Sequence, residues 1–122
     1  MRARITKRFH THKREGMNKT EARFAVMLNQ LKHSGEIVEW KYADVQFQLG
    51  EFRCWYRPDF RVIEIDGTIT FIETKGGYIW DDSKVKFKAA ARQYPEFNWA
   101  MYQEKKGKWS TQIGRASCRE RV

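Results

Sequence analysis

The chain is predicted to fold as one α+β domain, α/β in the broad sense, with helices packed on strands. Three observations predict it. The 122 residues suffice for a single domain with a core of its own. Apolar residues recur first at helical spacing, then in short β-rich runs, then in a second helix followed by more strand. With 41% hydrophobic and 15% aromatic residues the chain is too apolar to be disordered.

Residues 1–16 carry Arg2, Arg4, Lys7, Arg8, Lys13 and Arg14 against Glu15, with no apolar period, and read as a basic N-terminal arm. Residues 17–112 form the expected domain. Asn18 can cap a helix, Glu21 stands three residues on as in a capping box, and Phe24, Leu28 and Leu31 follow at helical spacing. A helix over residues 19–33 is expected, closed by Gly35 after Lys32 and His33. Residues 37–42, 45–49 and 52–57 are aromatic and β-branched, and are expected to form an antiparallel set. Residues 60–65 and 69–74 flank Asp66-Gly67-Thr68 and read as a hairpin needing positive φ at Gly67. Gly76-Gly77 breaks the pattern; Asp81, Asp82 or Ser83 then caps a second helix that runs to Tyr94 and stops at Pro95. Residues 97–102 form a strand, and Lys105-Lys106-Gly107-Lys108 turns into another around Trp109. The last ten residues, 113–122 (IGRASCRERV), match the translation of a sequencing adapter and are expected to lie outside the fold.

A net charge of +9 calls for an anionic partner, nucleic acid first. Setting aside Arg115, Arg119, Arg121 and Glu120 of the tail leaves +7, so the basic character does not depend on it. No apolar run is long enough to span a membrane, and the charged start lacks the apolar stretch of a secretion signal. An intracellular, cytoplasmic protein is expected, without a membrane partner or a small-molecule cofactor. Cys54 is the only cysteine outside the tail, which leaves no disulfide and no cysteine zinc site, and it is expected to be a small buried hydrophobe.

Pro58-Asp59, thirteen residues, then Glu73-Thr74-Lys75 carries the chemistry. Two carboxylates that converge on a hard divalent cation, with an amine beside the water it activates, make a phosphodiester-cleaving centre. Strand side chains alternate, so Asp59, Glu73 and Lys75 share a face only if paired residue numbers add to an even sum. A two-residue Asp-Gly turn breaks that rule, so a three-residue loop or a bulge is expected, with Asp59 opposite Lys75 and beside Glu73. On this geometry Asp59, Glu73 and the backbone carbonyl of Thr74 hold Mg²⁺, and Lys75 orients or deprotonates the attacking water.

The pattern resembles the signature of the PD-(D/E)XK nuclease superfamily, which implies a restriction-endonuclease-like αβββαβ core, a mixed central sheet flanked by helices. Trp55-Tyr56-Arg57-Pro58-Asp59-Phe60, Glu73-Thr74-Lys75-Gly76, Trp80-Asp81-Asp82-Ser83-Lys84 and Tyr94-Pro95-Glu96 resemble phage endonuclease I-type Holliday-junction resolvases. Asn18-Lys19-Thr20-Glu21 and Val85-Lys86-Phe87-Lys88 resemble a related family of uncharacterised phage nucleases. Together these segments cover residues 17–103. The resemblance implies hydrolysis of DNA, duplex or branched, with Mg²⁺ or Mn²⁺, in the host cytoplasm if the protein is phage-encoded. It maps Asp59, Glu73 and Lys75 onto catalytic positions and Glu21 onto a helical acid facing the metal. Glu21 thus has two compatible readings, cap and metal-site acid. Junction resolvases act as dimers with paired active sites, which implies a homodimer, but no segment here reads as a dimerisation element. A nicking, restriction-like or repair nuclease and a non-catalytic DNA-binding module on the same fold remain the alternatives.

Lys84, Lys88 and Arg92 form an i, i+4, i+8 stripe on the second helix, opposite Phe87, Ala90, Ala91 and Tyr94. With the six basic residues of the arm they are the candidate phosphate contacts. His10 and His12 have no supporting acid nearby and are poor metal candidates. The five tryptophans read as core and rim anchors, with Trp80 also placed to wedge against a distorted DNA backbone.

Overall fold

Local chemistry sets the first helix, α1 (Lys19–His33). The Asn18 side chain accepts from the Glu21 N–H at 2.7 Å, and Glu21 Oε1 accepts from the Asn18 N–H at 2.9 Å, a complete capping box. At the other end Gly35 takes φ +82°, its N–H bonds to Lys32 and the Glu36 N–H bonds to Leu31, which satisfies the last carbonyls. Both ends fall where the sequence places them.

The structure, a computed structural model, describes residues 3–5, 16–50, 54–77 and 81–114, with side chains over 16–50, 54–77 and 84–111. The remaining elements are β1 (Ala3–Ile5), β2 (Ile37–Tyr42), β3 (Val45–Gln48), β4 (Trp55–Tyr56), β5 (Phe60–Glu64), β6 (Ile69–Gly76), α2 (Asp81–Gln93), β7 (Asn98–Lys105) and β8 (Lys108–Gly114). Five strands form a mixed sheet in the order β2-β5-β6-β7-β8, in which only β6 and β7 are parallel, joined through α2. Three form a small antiparallel sheet, β1-β3-β4. The described residues are therefore α+β, with a mixed central sheet and two helices.

Strand β6 is the axis. It is buried almost without break, because its alternate side chains enter two different cores. Ile72 packs with Phe24, Leu28, Phe60 and Val62 beneath α1. Phe71 packs with Phe47, Phe87, Tyr94 and Trp99 beneath α2 and the small sheet. Phe47 stands edge-on to Phe71, Tyr94 and Trp99, with ring centroids 4.7–4.9 Å away, and so fastens the small sheet to the large one.

Several expectations need correction. Of the expected antiparallel set only β3 and β4 pair, with β1 on the other edge of β3; β2 joins the large sheet instead. The link between β2 and β3 is only Ala43 and Asp44, and Ala43 at φ +47° sends the chain away from the five-stranded sheet instead of folding it back. Within the arm, Ala3–Ile5 is a strand on the otherwise open edge of β3. Arg2, Lys7, Arg8, His10, His12, Lys13 and Arg14 lie outside the described residues, as does the Arg4 side chain. Cys54 is exposed, because it precedes the two-residue β4 and does not sit within a strand over a core. Strand β8 reaches Gly114, so Ile113 and Gly114 pair with Met101 and Ala100; residues 115–122 are outside the described residues.

Candidate active site

The hairpin β5–β6 fixes the site through its register. Ile63 pairs with Ile69 and Phe60 with Ile72, and the Glu64 N–H bonds to the Thr68 carbonyl at 2.8 Å. The loop is Ile65-Asp66-Gly67, with the Gly67 N–H closing on Glu64 and Gly67 at φ +88° as the third loop residue. The three-residue loop and the even sum are those the sequence predicts. The register, however, is one step tighter: its last pair is Phe60 with Ile72, and carried on by one residue it sets Asp59 opposite Glu73, not opposite Lys75. The left-handed glycine belongs at the last loop position, which moves the loop back by one residue.

Two residues beyond Phe60, the ladder fails for a covalent reason. Continuing the register places Pro58 against Thr74 as a hydrogen-bonded pair, and proline has no N–H to give. The Thr74 N–H instead donates to Asp59 Oδ2 at 2.9 Å, and the Thr74 hydroxyl donates to the same oxygen at 3.0 Å. In a strand a residue's N–H and C=O leave on the same side. The Thr74 carbonyl therefore faces the gap where β5 peels away, on the side of Asp59. The Asp59 carbonyl accepts from the Ala43 N–H at 2.7 Å, so the aspartate backbone is tied to the end of β2.

Glu73 is buried, and each of its oxygens has a partner. Tyr56 donates to Oε1 at 2.7 Å, and Lys75 Nζ lies 3.2 Å from Oε2. Glu21, also buried, accepts from the Tyr42 hydroxyl at 3.0 Å on the oxygen that closes the capping box. Its cap reading therefore holds, and the same carboxylate acts on the other two acids. Burial, then Glu73, then Glu21, pushes the Asp59 carboxyl well above the usual carboxylate range, against the hydrogen bonds from Thr74. Burial also raises Glu73, with Glu21 adding to it, while Lys75 and the Tyr56 hydroxyl pull the other way. Burial, with the adjacent Glu73 charge, holds the Tyr56 phenol well above its ordinary value. Glu73 and Glu21 thus both oppose ionisation of Asp59, and Glu21 opposes that of Glu73.

Among the described residues no three His, Cys, Asp or Glu side chains converge closely enough to cage a metal ion by themselves. The donor set that fits is smaller. Both bonds to Asp59 land on Oδ2, which leaves Oδ1 for another partner. With a Glu73 oxygen and the Thr74 carbonyl it offers hard oxygens to a cation that keeps most of its waters, as Mg²⁺ does.

Sequence reasoning missed the two tyrosines that hold Glu73 and Glu21. It also missed Gln103, which is buried, registers with Lys75 and donates to the Gly77 carbonyl, anchoring the chain where it leaves β6. On α2, Lys88 and Arg92 are exposed and Lys84 is half-buried, while Phe87, Ala90 and Tyr94 are buried, so the basic stripe lies on the outer face. Trp99 is buried; Trp80 is outside the described residues. No described helix is long and apolar enough to cross a membrane. Comparison with protein-family models, with curated proteins and with solved structures finds no match.

Proposed function

We propose that this protein is a metal-dependent DNA endonuclease with a restriction-endonuclease-like core of the PD-(D/E)XK type, acting on duplex or branched DNA. The observation that carries the reading is the open end of the hairpin, where Asp59 accepts from Thr74, the residue next to Glu73, and Lys75 stands beside Glu73. Asp59, Glu73 and the Thr74 carbonyl would hold Mg²⁺ or Mn²⁺, which supplies a Lewis acid for the phosphate and acidifies a bound water. Glu21 adds negative charge at the same corner, and Lys75 Nζ, held at Glu73, is placed to orient or deprotonate that water. Lys84, Lys88 and Arg92 supply phosphate contacts that position the DNA without reading its sequence. Junction resolution by a homodimer is one form of this activity, and a nicking, restriction-like or repair enzyme is the other.

Incubating the full chain with Mg²⁺ or Mn²⁺ and either a four-way junction or a linear duplex of the same sequence tests the reading. Symmetric cuts near the branch, lost in Glu73→Ala, indicate a resolvase; cutting of the duplex as well indicates a nicking, restriction-like or repair enzyme. Lys75→Met should lose cleavage and keep metal and DNA binding. One observation favours a second reading, a non-catalytic DNA-binding module: Glu73 already has a partner on each oxygen. DNA binding without turnover in either metal selects it.

A further inference from the structure

Tyr56 reaches the site from outside the hairpin. It lies on the small sheet, where its pairing with Phe47 fixes its backbone, and its ring belongs to the core formed by Phe47, Phe71 and Trp99. Only its hydroxyl leaves that core, to donate to Glu73 Oε1. A buried phenol needs an acceptor, and a main-chain carbonyl commonly serves. Tyr94 shows this within the same core, where its hydroxyl bonds to the Gln48 carbonyl at 2.8 Å. Tyr56 instead takes a carboxylate oxygen two residues from the lysine of the proposed centre. The choice matters because a glutamate has a freely turning terminal torsion. With Oε1 held by Tyr56, Oε2 is the oxygen turned to Lys75, and the carboxylate plane is set.

We infer that Tyr56 is a positioning residue for Glu73: its hydroxyl fixes which carboxylate oxygen is presented to a divalent cation and to Lys75. The inference rests on the endonuclease reading and adds a residue to it. A neutral donor suits the task, since it orients the carboxylate without cancelling the charge a cation needs. Tyr42 stands in the same relation to Glu21, so two of the three acids are held by a tyrosine hydroxyl.

The test compares Tyr56→Phe with Tyr94→Phe in the full chain. Each keeps its ring in the same core and loses one buried hydroxyl. Mn²⁺ affinity of the DNA-free protein is measured by calorimetry, and cleavage of a four-way junction is followed at saturating Mg²⁺. Tyr56→Phe should weaken Mn²⁺ binding and lower kcat by about tenfold or more, the size of effect seen when a hydrogen-bonding support of a metal ligand is removed, while KM for DNA stays within about twofold. Tyr94→Phe, matched to it in thermal stability loss, should change neither. Equal effects of the two variants, or none from Tyr56→Phe, overturn the inference. A wild-type chain that binds Mn²⁺ but cuts no DNA ends the endonuclease reading and leaves the affinity comparison to decide Tyr56. Failure of the wild-type chain to bind Mn²⁺ overturns both.

Discussion

The two ends of the β5–β6 hairpin use the same small device to opposite effect. At the turn, Asp66 Oδ1 accepts from the N–H and the hydroxyl of Thr68, at 3.0 and 2.7 Å. At the open end, Asp59 Oδ2 accepts from the N–H and the hydroxyl of Thr74, at 2.9 and 3.0 Å. Asp66 is exposed and ends a turn. Asp59 is half-buried, and burial and the charges of Glu73 and Glu21 raise its carboxyl against the same hydrogen bonds. Hydrogen bonding alone therefore does not set the two ends apart; burial and like charge do.

Substitution at both ends is the strongest way to break this contrast. Asp59→Ala and Glu73→Ala should abolish Mg²⁺-dependent cleavage of a four-way junction, whereas Asp66→Ala should leave the rate unchanged; equal losses would erase the difference. The next effect concerns which end meets phosphate. The turn carries Glu64 and Asp66, while α2, which leaves from the open end, carries Lys84, Lys88 and Arg92. Replacing these three by glutamine should flatten the slope of log affinity against log salt by about 2 to 3 in a DNA-binding titration, and an unchanged slope removes α2 from the interface.

Each end also has its glycine. A Cβ at Gly76 would meet Thr20 Oγ1 at 2.7 Å, pressing on the first turn of α1 beside Glu21. Gly76→Ala should cost about 1–3 kcal/mol in denaturant unfolding and slow cleavage as well. At Gly67 nothing lies within 4 Å, but φ is +88°, so Gly67→Ala should cost about 1–2 kcal/mol and spare the rate. The smallest effect is on pH dependence. Asp59 and Glu73 titrate higher folded than unfolded, so the folded state keeps protons the unfolded chain has lost. The stability they contribute is complete below the unfolded value, near 4, and is lost as pH rises through their folded values, with Glu21 opposing ionisation and Lys75 and Tyr56 easing it at Glu73. Thermal melts should fall by a few degrees over that rise, with Asp59→Asn flattening the trend and Asp66→Asn leaving it.

What could be read from the sequence was what local chemistry decides. The capping box at Asn18 and Glu21, the glycine after α1 and the parity of the hairpin each depend on residues a few places apart. The exact register did not follow, since it turned on whether Gly67 or Thr68 closed the loop. The pairing of β3 with β4 was legible, but the third strand of the small sheet was not, because β3 takes it from some forty residues away and nothing in the spacing of Val45 or Phe47 names Ala3–Ile5. The support of Glu73 by Tyr56 was hidden because it is made between two sheets. Trp55-Tyr56 reads as a strand, and only the packing of one sheet on another brings the hydroxyl to an acid seventeen residues on.

Pro58 sets a conflict between sturdiness and use. Any other residue there would bring an N–H able to meet the Thr74 carbonyl, and β5 could zip further along β6. The gain would be a longer, firmer hairpin, and the loss would be the gap itself, with the carbonyl consumed by its neighbour. A search for stabilising substitutions would find position 58 attractive on these grounds, and on the endonuclease reading would select a sound scaffold with its site closed.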